Sequence, residues 1–136
     1  TSELNGNLIV PVQLGLGDEN CKMAVSVCET NTGGNSLITS CTEDSELVNV
    51  VTLDSFVKDN NLERVDFIKS DIEGFERNLL LGARQTLKRF APKLAICTYH
   101  LPDDPVVLAK IIKEANPNYT IVQMRHKLFA AVLCDV

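Results

Sequence analysis

The chain has 136 residues, of which 45% are hydrophobic and 23% charged, with a net charge of −5. This composition excludes a disordered chain and suits one domain, residues 1–136, with a moderate core. The acidic balance argues against nucleic acid or an anionic membrane as partner, and no apolar run approaches the ~20 residues of a membrane span.

Residues 1–7 are polar. Leu8 to Leu14, "LIVPVQL", reads as a strand that Pro11 confines to an edge or an irregularity. "GLGDEN" supplies a turn, and "KMAVSVCE" a second strand. Thr30 to Ser36 is a glycine-rich loop without the Gly-Lys-Ser/Thr that a phosphate cradle requires. "ELVNVVTL" is a third strand. "LDSFVKDNN" is a short helix with Thr52 or Asp54 at its start and an Asn pair at its stop.

The second half has a regular rhythm. "VDFIKS" is a strand. Phe75, Leu79, Leu80, Ala83 and Leu87 then form one apolar stripe of a helix from about Gly74 to Arg89, with Arg77, Arg84, Lys88 and Arg89 on the other face. "KLAICTY" is a near-continuous apolar strand, the pattern of a parallel sheet covered on both faces. The next helix has Asp103 or Asp104 as its cap and Pro105 in its first turn, and it stops at Asn116-Pro117. "YTIVQM" and "FAAVLCDV" are joined only by "RHKL", too short for a parallel crossover, so they pair antiparallel. The fold class is α/β, with a mostly parallel sheet and a C-terminal hairpin.

Five cysteines, Cys21, Cys28, Cys41, Cys97 and Cys134, show no Cys-x-x-Cys spacing. They read as free thiols of a reducing compartment rather than disulfides or zinc ligands. No signal-peptide pattern opens the sequence, and a cytoplasmic setting is expected.

The chemistry concentrates in "DFIKSDIEGFE". An apolar strand ends at Ser70, and Asp71, Glu73 and Glu76 follow within six positions. Carboxylates at a helix N-terminus are stabilised by about 0.3–1 kcal/mol each, yet capping needs one acid rather than three. Ligands of an open parallel sheet sit beyond the carboxyl ends of its strands, which is where Asp71 falls. His100 follows the next strand on the same rim and can serve as a base near pH 7 or as a structural hydrogen bonder. Asp71 and Glu73 could offer two oxygen ligands to a magnesium ion, but no full metal set is apparent. His126, in the final hairpin turn, reads as solvated.

These blocks resemble the core of FkbM-type methyltransferases, which use S-adenosylmethionine. The signs are Asp66-Phe67-Ile68-Lys69, Asp71-x-Glu73-Gly74-x-Glu76, Leu81-Gly82-Ala83, Pro92-Lys93-Leu94 and Tyr99-His100. "GLGDEN" and "VTLDSFV" lie upstream, and the resemblance runs from about Leu8 to Cys134. It implies a seven-stranded methyltransferase sheet of order 3-2-1-4-5-7-6 and methyl transfer to a hydroxyl of a small or saccharide-like acceptor. Carried over by position, Asp71, Glu73 and His100 are the catalytic candidates. Asp71, Glu76 and Gly15 are the candidates for binding the donor, with Glu76 either orienting the helix start or reaching the donor.

One departure stands out. The family's first strand, glycine-rich turn and second strand, roughly 60 residues by βαβ dimensions, find no match before Leu8. The isolated chain is therefore expected to be inactive until the missing half completes it. The fourth strand, Val65 to Ser70, would expose an apolar edge, which a homodimer or a rearranged sheet would cover. A non-catalytic self-associating or partner-binding module is the alternative. An acidic metal hydrolase lacks a histidine-rich ligand set.

Overall fold

β-Branched and aromatic runs of four to six residues make most of the strands, and two glycine-containing breaks shape the helices between them. The computed structural model describes residues 3–4, 7–26, 36–38 and 46–133. The strands are β1 (Glu3–Leu4), β2 (Asn7–Leu8), β3 (Gly15–Leu16), β4 (Cys21–Ser26), β5 (Ser36–Ile38), β6 (Glu46–Val51), β7 (Phe67–Ser70), β8 (Lys93–Cys97), β9 (Tyr119–Met124) and β10 (Lys127–Val132). The helices are α1 (Leu53–Asp59), α2 (Glu76–Leu81), α3 (Arg84–Phe90) and α4 (Asp104–Ala115). None is long and apolar enough to cross a membrane. The glycine-rich loop before Ser36 and three of the cysteines, Cys28, Cys41 and Cys134, lie outside the described residues.

The sheets are mixed, which corrects the mostly parallel expectation. One has the order β7-β8-β10-β9, the other β3-β6-β4-β5, and β1 and β2 pair as a small ribbon. Among the described residues only β7–β8 and β3–β6 run parallel. The C-terminal hairpin is antiparallel as the short link requires, with Lys127 opposite Met124 and Val132 opposite Tyr119. Its turn is Arg125-His126, with Arg125 at φ 50, so β10 begins two residues before the predicted Phe129.

No strand spans Leu8 to Leu14. Residues 9–14 are irregular, and Ile9, Val10 and Val12 are at least half exposed. Pro11 has no N–H to give a ladder, and a tight bend from the Leu14 N–H to the Val12 carbonyl (3.0 Å) ends any extension. The strand comes later, at Gly15–Leu16, where Gly15 lies opposite Val50.

The helix predicted over Gly74 to Arg89 is two helices. In a continuous helix the Gly82 carbonyl would accept the Thr86 N–H. Here it accepts from the Asp54 N–H at 2.9 Å. The Asp54 carboxylate in turn takes the N–H of Gln85 (2.9 Å) and of Thr86 (2.8 Å) and the Thr86 hydroxyl (2.7 Å). The first turn of α1 thus caps α3, and the exchange breaks the longer helix at Gly82-Ala83. Glycine is required there because a Cβ on Gly82 would overlap the Gly17 carbonyl oxygen. The apolar stripe survives the break, and Leu79, Leu80, Ala83 and Leu87 are all buried.

Leu80, Ala83 and Leu87 of that stripe join Leu53 and Val57 of α1, Leu108, Ile111 and Ile112 of α4, and Leu94, Ile96, Tyr119, Leu128 and Ala130 of the sheet in one core. Each large aliphatic side chain so buried contributes about 1.5–3 kcal/mol. Helices cover one face of the β7-β8-β10-β9 sheet. The other face exposes Phe67, Val122 and Phe129, so "KLAICTY" is not covered on both sides as its composition suggests.

Replacing Gly82 with Ala is expected to destabilise the fold by about 1–3 kcal/mol in urea titration, because the obstruction is backbone rather than a flexible side chain. Unchanged stability would mean that the β3 turn yields. Tyr119 gives a pH signature. Its hydroxyl is buried, donates to the Pro92 carbonyl at 2.7 Å, and is pushed up to about 12 by burial. An unfolded tyrosine ionises near 10. Stability from this group is therefore full below about pH 10 and declines as pH rises toward about 12. Tyr119→Phe should lower the neutral-pH plateau by about 1 kcal/mol and flatten that decline.

Candidate active site

The site forms because β7 and β8 are parallel neighbours in register. Ser70 pairs with Ile96, so both strands release their chains at the same rim. Asp71 leaves β7 there, and Tyr99 and His100 follow β8. The Tyr99 hydroxyl donates to Asp71 Oδ1 at 2.9 Å. His100 Nε2 lies 3.8 Å from Asp71 Oδ1 and 3.4 Å from Glu73 Oε2, and its Nδ1 lies 3.3 Å from Glu76 Oε1. The predicted catalytic residues Asp71, Glu73 and His100 are thus brought together, and Glu76 with them.

The local backbone explains how three acids fit. The Phe75 N–H bonds to the Ile72 carbonyl at 3.3 Å, closing a four-residue turn. Its central residues Glu73 (φ 56) and Gly74 (φ 97) both have positive φ, as in a type I′ turn. Gly74 is at home there, whereas Glu73 bears about 1–2 kcal/mol of left-handed strain. Glu76 fixes the turn. Its side chain is 1% exposed, and its two oxygens accept the N–H groups of Ile72 (2.8 Å) and Gly74 (3.0 Å). Of the two roles open to Glu76, orienting the helix start is the one these bonds serve.

Asp71 and Glu73 are about one-third exposed and open to the rim. The Tyr99 hydroxyl holds the Asp71 carboxyl below its ordinary range, and the same bond pushes Tyr99 up to about 12. Burial, with Asp71 nearby, raises the Cys97 thiol, which makes it a poor nucleophile and a core residue. Among the described cysteines, Cys21 and Cys97 are both free. His126 is exposed, as expected, with its ring centroid 5.8 Å from that of Tyr99 in a T-shaped arrangement.

Gly15 is elsewhere in the ladder. It sits inside β3 rather than in a turn, and the chain reaches the acidic region only at Gly17, where a Cβ would lie 3.1 Å from Phe75 Cε1. Two contributors escaped sequence reasoning. Tyr99 was visible beside His100, but its bond to Asp71 depends on the β7–β8 register. Arg77, placed on the solvent face by helical periodicity, instead bridges Asp104 (2.8 Å) and Asp103 (2.6 Å), tying α2 to α4. Asp104 is itself buried and accepts the Leu101 N–H at 2.9 Å, which anchors the segment after His100.

The family model described as Methyltransferase FkbM domain matches residues 4–128. The structure is similar to the crystal structure of methyltransferase FkbM from Methylobacillus flagellatus KT, with a TM-score of 0.62 and 26% identity over 86% of this chain. The match spans 27% of that chain. No curated protein matches.

Glu76→Ala should strand two backbone N–H groups, at about 1–3 kcal/mol each. A urea midpoint matching the wild type would show that water replaces the carboxylate and that Glu76 does not hold the turn.

Proposed function

Because this chain belongs to the FkbM methyltransferase domain family, we propose that its acidic rim is the acceptor side of an S-adenosylmethionine-dependent methyl transfer to a hydroxyl of a small or saccharide-like molecule. The observation that carries the reading is the convergence of Asp71, Glu73 and His100 at the shared carboxyl end of β7 and β8. A sulfonium methyl is already activated. The protein must bring the acceptor oxygen, methyl carbon and sulfur into line and accommodate one proton. Carboxylates at the rim favour the cationic sulfonium. His100 takes the acceptor's proton, and Glu76 keeps the turn in place from beneath.

The sheet order supports the same reading. β7-β8-β10-β9 corresponds to 4-5-7-6 of the family order, and β3 lies in the other sheet. A complete sheet would set two strands between β3 and β7. On this reading those strands, with the glycine-rich turn that contacts the donor's methionine part, complete the donor site, and Gly15 joins it only in that company. The free thiols Cys21 and Cys97 suit work in the cytoplasm.

A second reading, self-association as a homodimer, is favoured by the open sheet face with Phe67 (58% exposed), Val122 (52%) and Phe129 (40%) beside the edge of β7, which is unpaired among the described residues.

Calorimetry with S-adenosylmethionine and molar mass in solution separate the two. The 136 residues alone should give no binding heat, whereas a polypeptide that also carries the glycine-rich segment should bind and transfer. In that polypeptide, Asp71→Asn with Glu73→Gln should lower transfer by about 10²–10⁴-fold with little change in melting temperature. Full transfer by the double variant would sink the assignment. A stable dimer with no donor binding in the longer polypeptide would favour the second reading.

A further inference from the structure

His100 is the least satisfied side chain at the rim. It is only 8% exposed, yet both ring nitrogens are buried without a hydrogen-bond partner among the described residues. Buried imidazoles ordinarily find a partner. Here Nε2 points between two carboxylates, with Glu73 Oε2 at 3.4 Å and Asp71 Oδ1 at 3.8 Å, and the ligand atoms of the three residues lie within 4.8 Å of one another. Two ligands each about 2.1 Å from one ion stand about 3.0–3.8 Å apart at angles of about 90–130°. The two separations from His100 Nε2 fall in that range.

The surroundings have the remaining parts of such a site. Nδ1 faces the buried Glu76 carboxylate at 3.3 Å without a formed hydrogen bond, and closing that contact would put the ring proton on Nδ1 and leave the Nε2 lone pair free to ligate. Tyr99 donates to the same Asp71 Oδ1 that lies nearest His100 and so fixes that carboxylate. Both carboxylates are partly exposed, so an ion has an entry path and open positions for water or a hydroxyl.

We propose that Asp71, Glu73 and His100 bind one first-row divalent cation of the Mn²⁺ or Zn²⁺ kind, through two carboxylate oxygens and His100 Nε2. The mixed nitrogen and oxygen set selects against Mg²⁺ and Ca²⁺, which prefer all-oxygen shells. The inference shares residues with the methyl-transfer reading but does not rest on it. The two also make different demands on His100, since a cation on Nε2 prevents that atom from taking a proton. In the loaded protein an acceptor hydroxyl on the ion would release its proton to water, made acidic by the metal.

The test is titration of Mn²⁺ into the metal-free chain, without methyl donor, followed by calorimetry and electron paramagnetic resonance. One ion should bind per chain, with a rise in melting temperature. Zn²⁺ should displace it, and Mg²⁺ at the same concentration should not. His100→Gln and Asp71→Asn should each weaken binding by at least about tenfold, and Glu76→Gln by about 10–100-fold. Circular dichroism of each variant separates lost ligation from lost folding. Absence of binding at millimolar Mn²⁺ by a folded wild type would overturn the site. Equal affinity in wild type and His100→Gln would also overturn it, as surface carboxylates would then be the binders. Donor titration is read separately, in the polypeptide that also carries the glycine-rich segment, so absence of donor binding there counts only against methyl transfer, and absence of Mn²⁺ binding only against the cation.

Discussion

The carboxylate of Glu76 is the interaction on which the rim depends. It is buried, and a buried charge is tolerable only when strong donors surround it. Two loop N–H groups supply them, and His100 Nδ1 faces the same oxygens. The arrangement has a structural result: Ile72 and Gly74 are drawn back over the start of α2, which projects Asp71 and Glu73 outward. Two of the three acids that look redundant on capping grounds are therefore presented by the third.

Glu73 sharpens the point. Asparagine or glycine would sit more easily at φ 56. A side chain held in an unfavourable backbone region by a satisfied hydrogen-bond frame is the pattern found where position matters more than stability. The frame extends downward through Arg77, which joins the helix bearing Glu76 to buried Asp104, while Asp104 anchors Leu101 just past His100. Both approaches to the rim are thus tied to the same pair of helices.

Much of this was legible in the residues. Period 3.6 gave the buried stripe of Leu79, Leu80, Ala83 and Leu87, and the short Arg125-to-Leu128 link required an antiparallel hairpin. The end of an apolar run at Ser70 located the acidic rim. Other features depend on partners distant in sequence. Nothing near Gly82 says that its carbonyl will be taken by the Asp54 N–H, so two helices looked like one. "LIVPVQL" is apolar enough for a strand, but only Leu8 pairs, and with Pro11 inside it residues 9–14 stay irregular. Arg77 shows the limit of periodicity: a charged residue on the outer face can still point at a second helix. Glu76 was ambiguous because capping and ligand contact call for the same residue in the same place.

The close approach of Gly17 and Gly82 has a mechanical consequence. With no side chain between them, the turn after β3 rests directly on the backbone joint between α2 and α3, and it also touches Phe75, the residue before Glu76. The two sheets are therefore geared rather than merely adjacent. A displacement of the β3 ribbon, such as strands inserted beside it would impose, is transmitted through Phe75 to the base of the acidic turn.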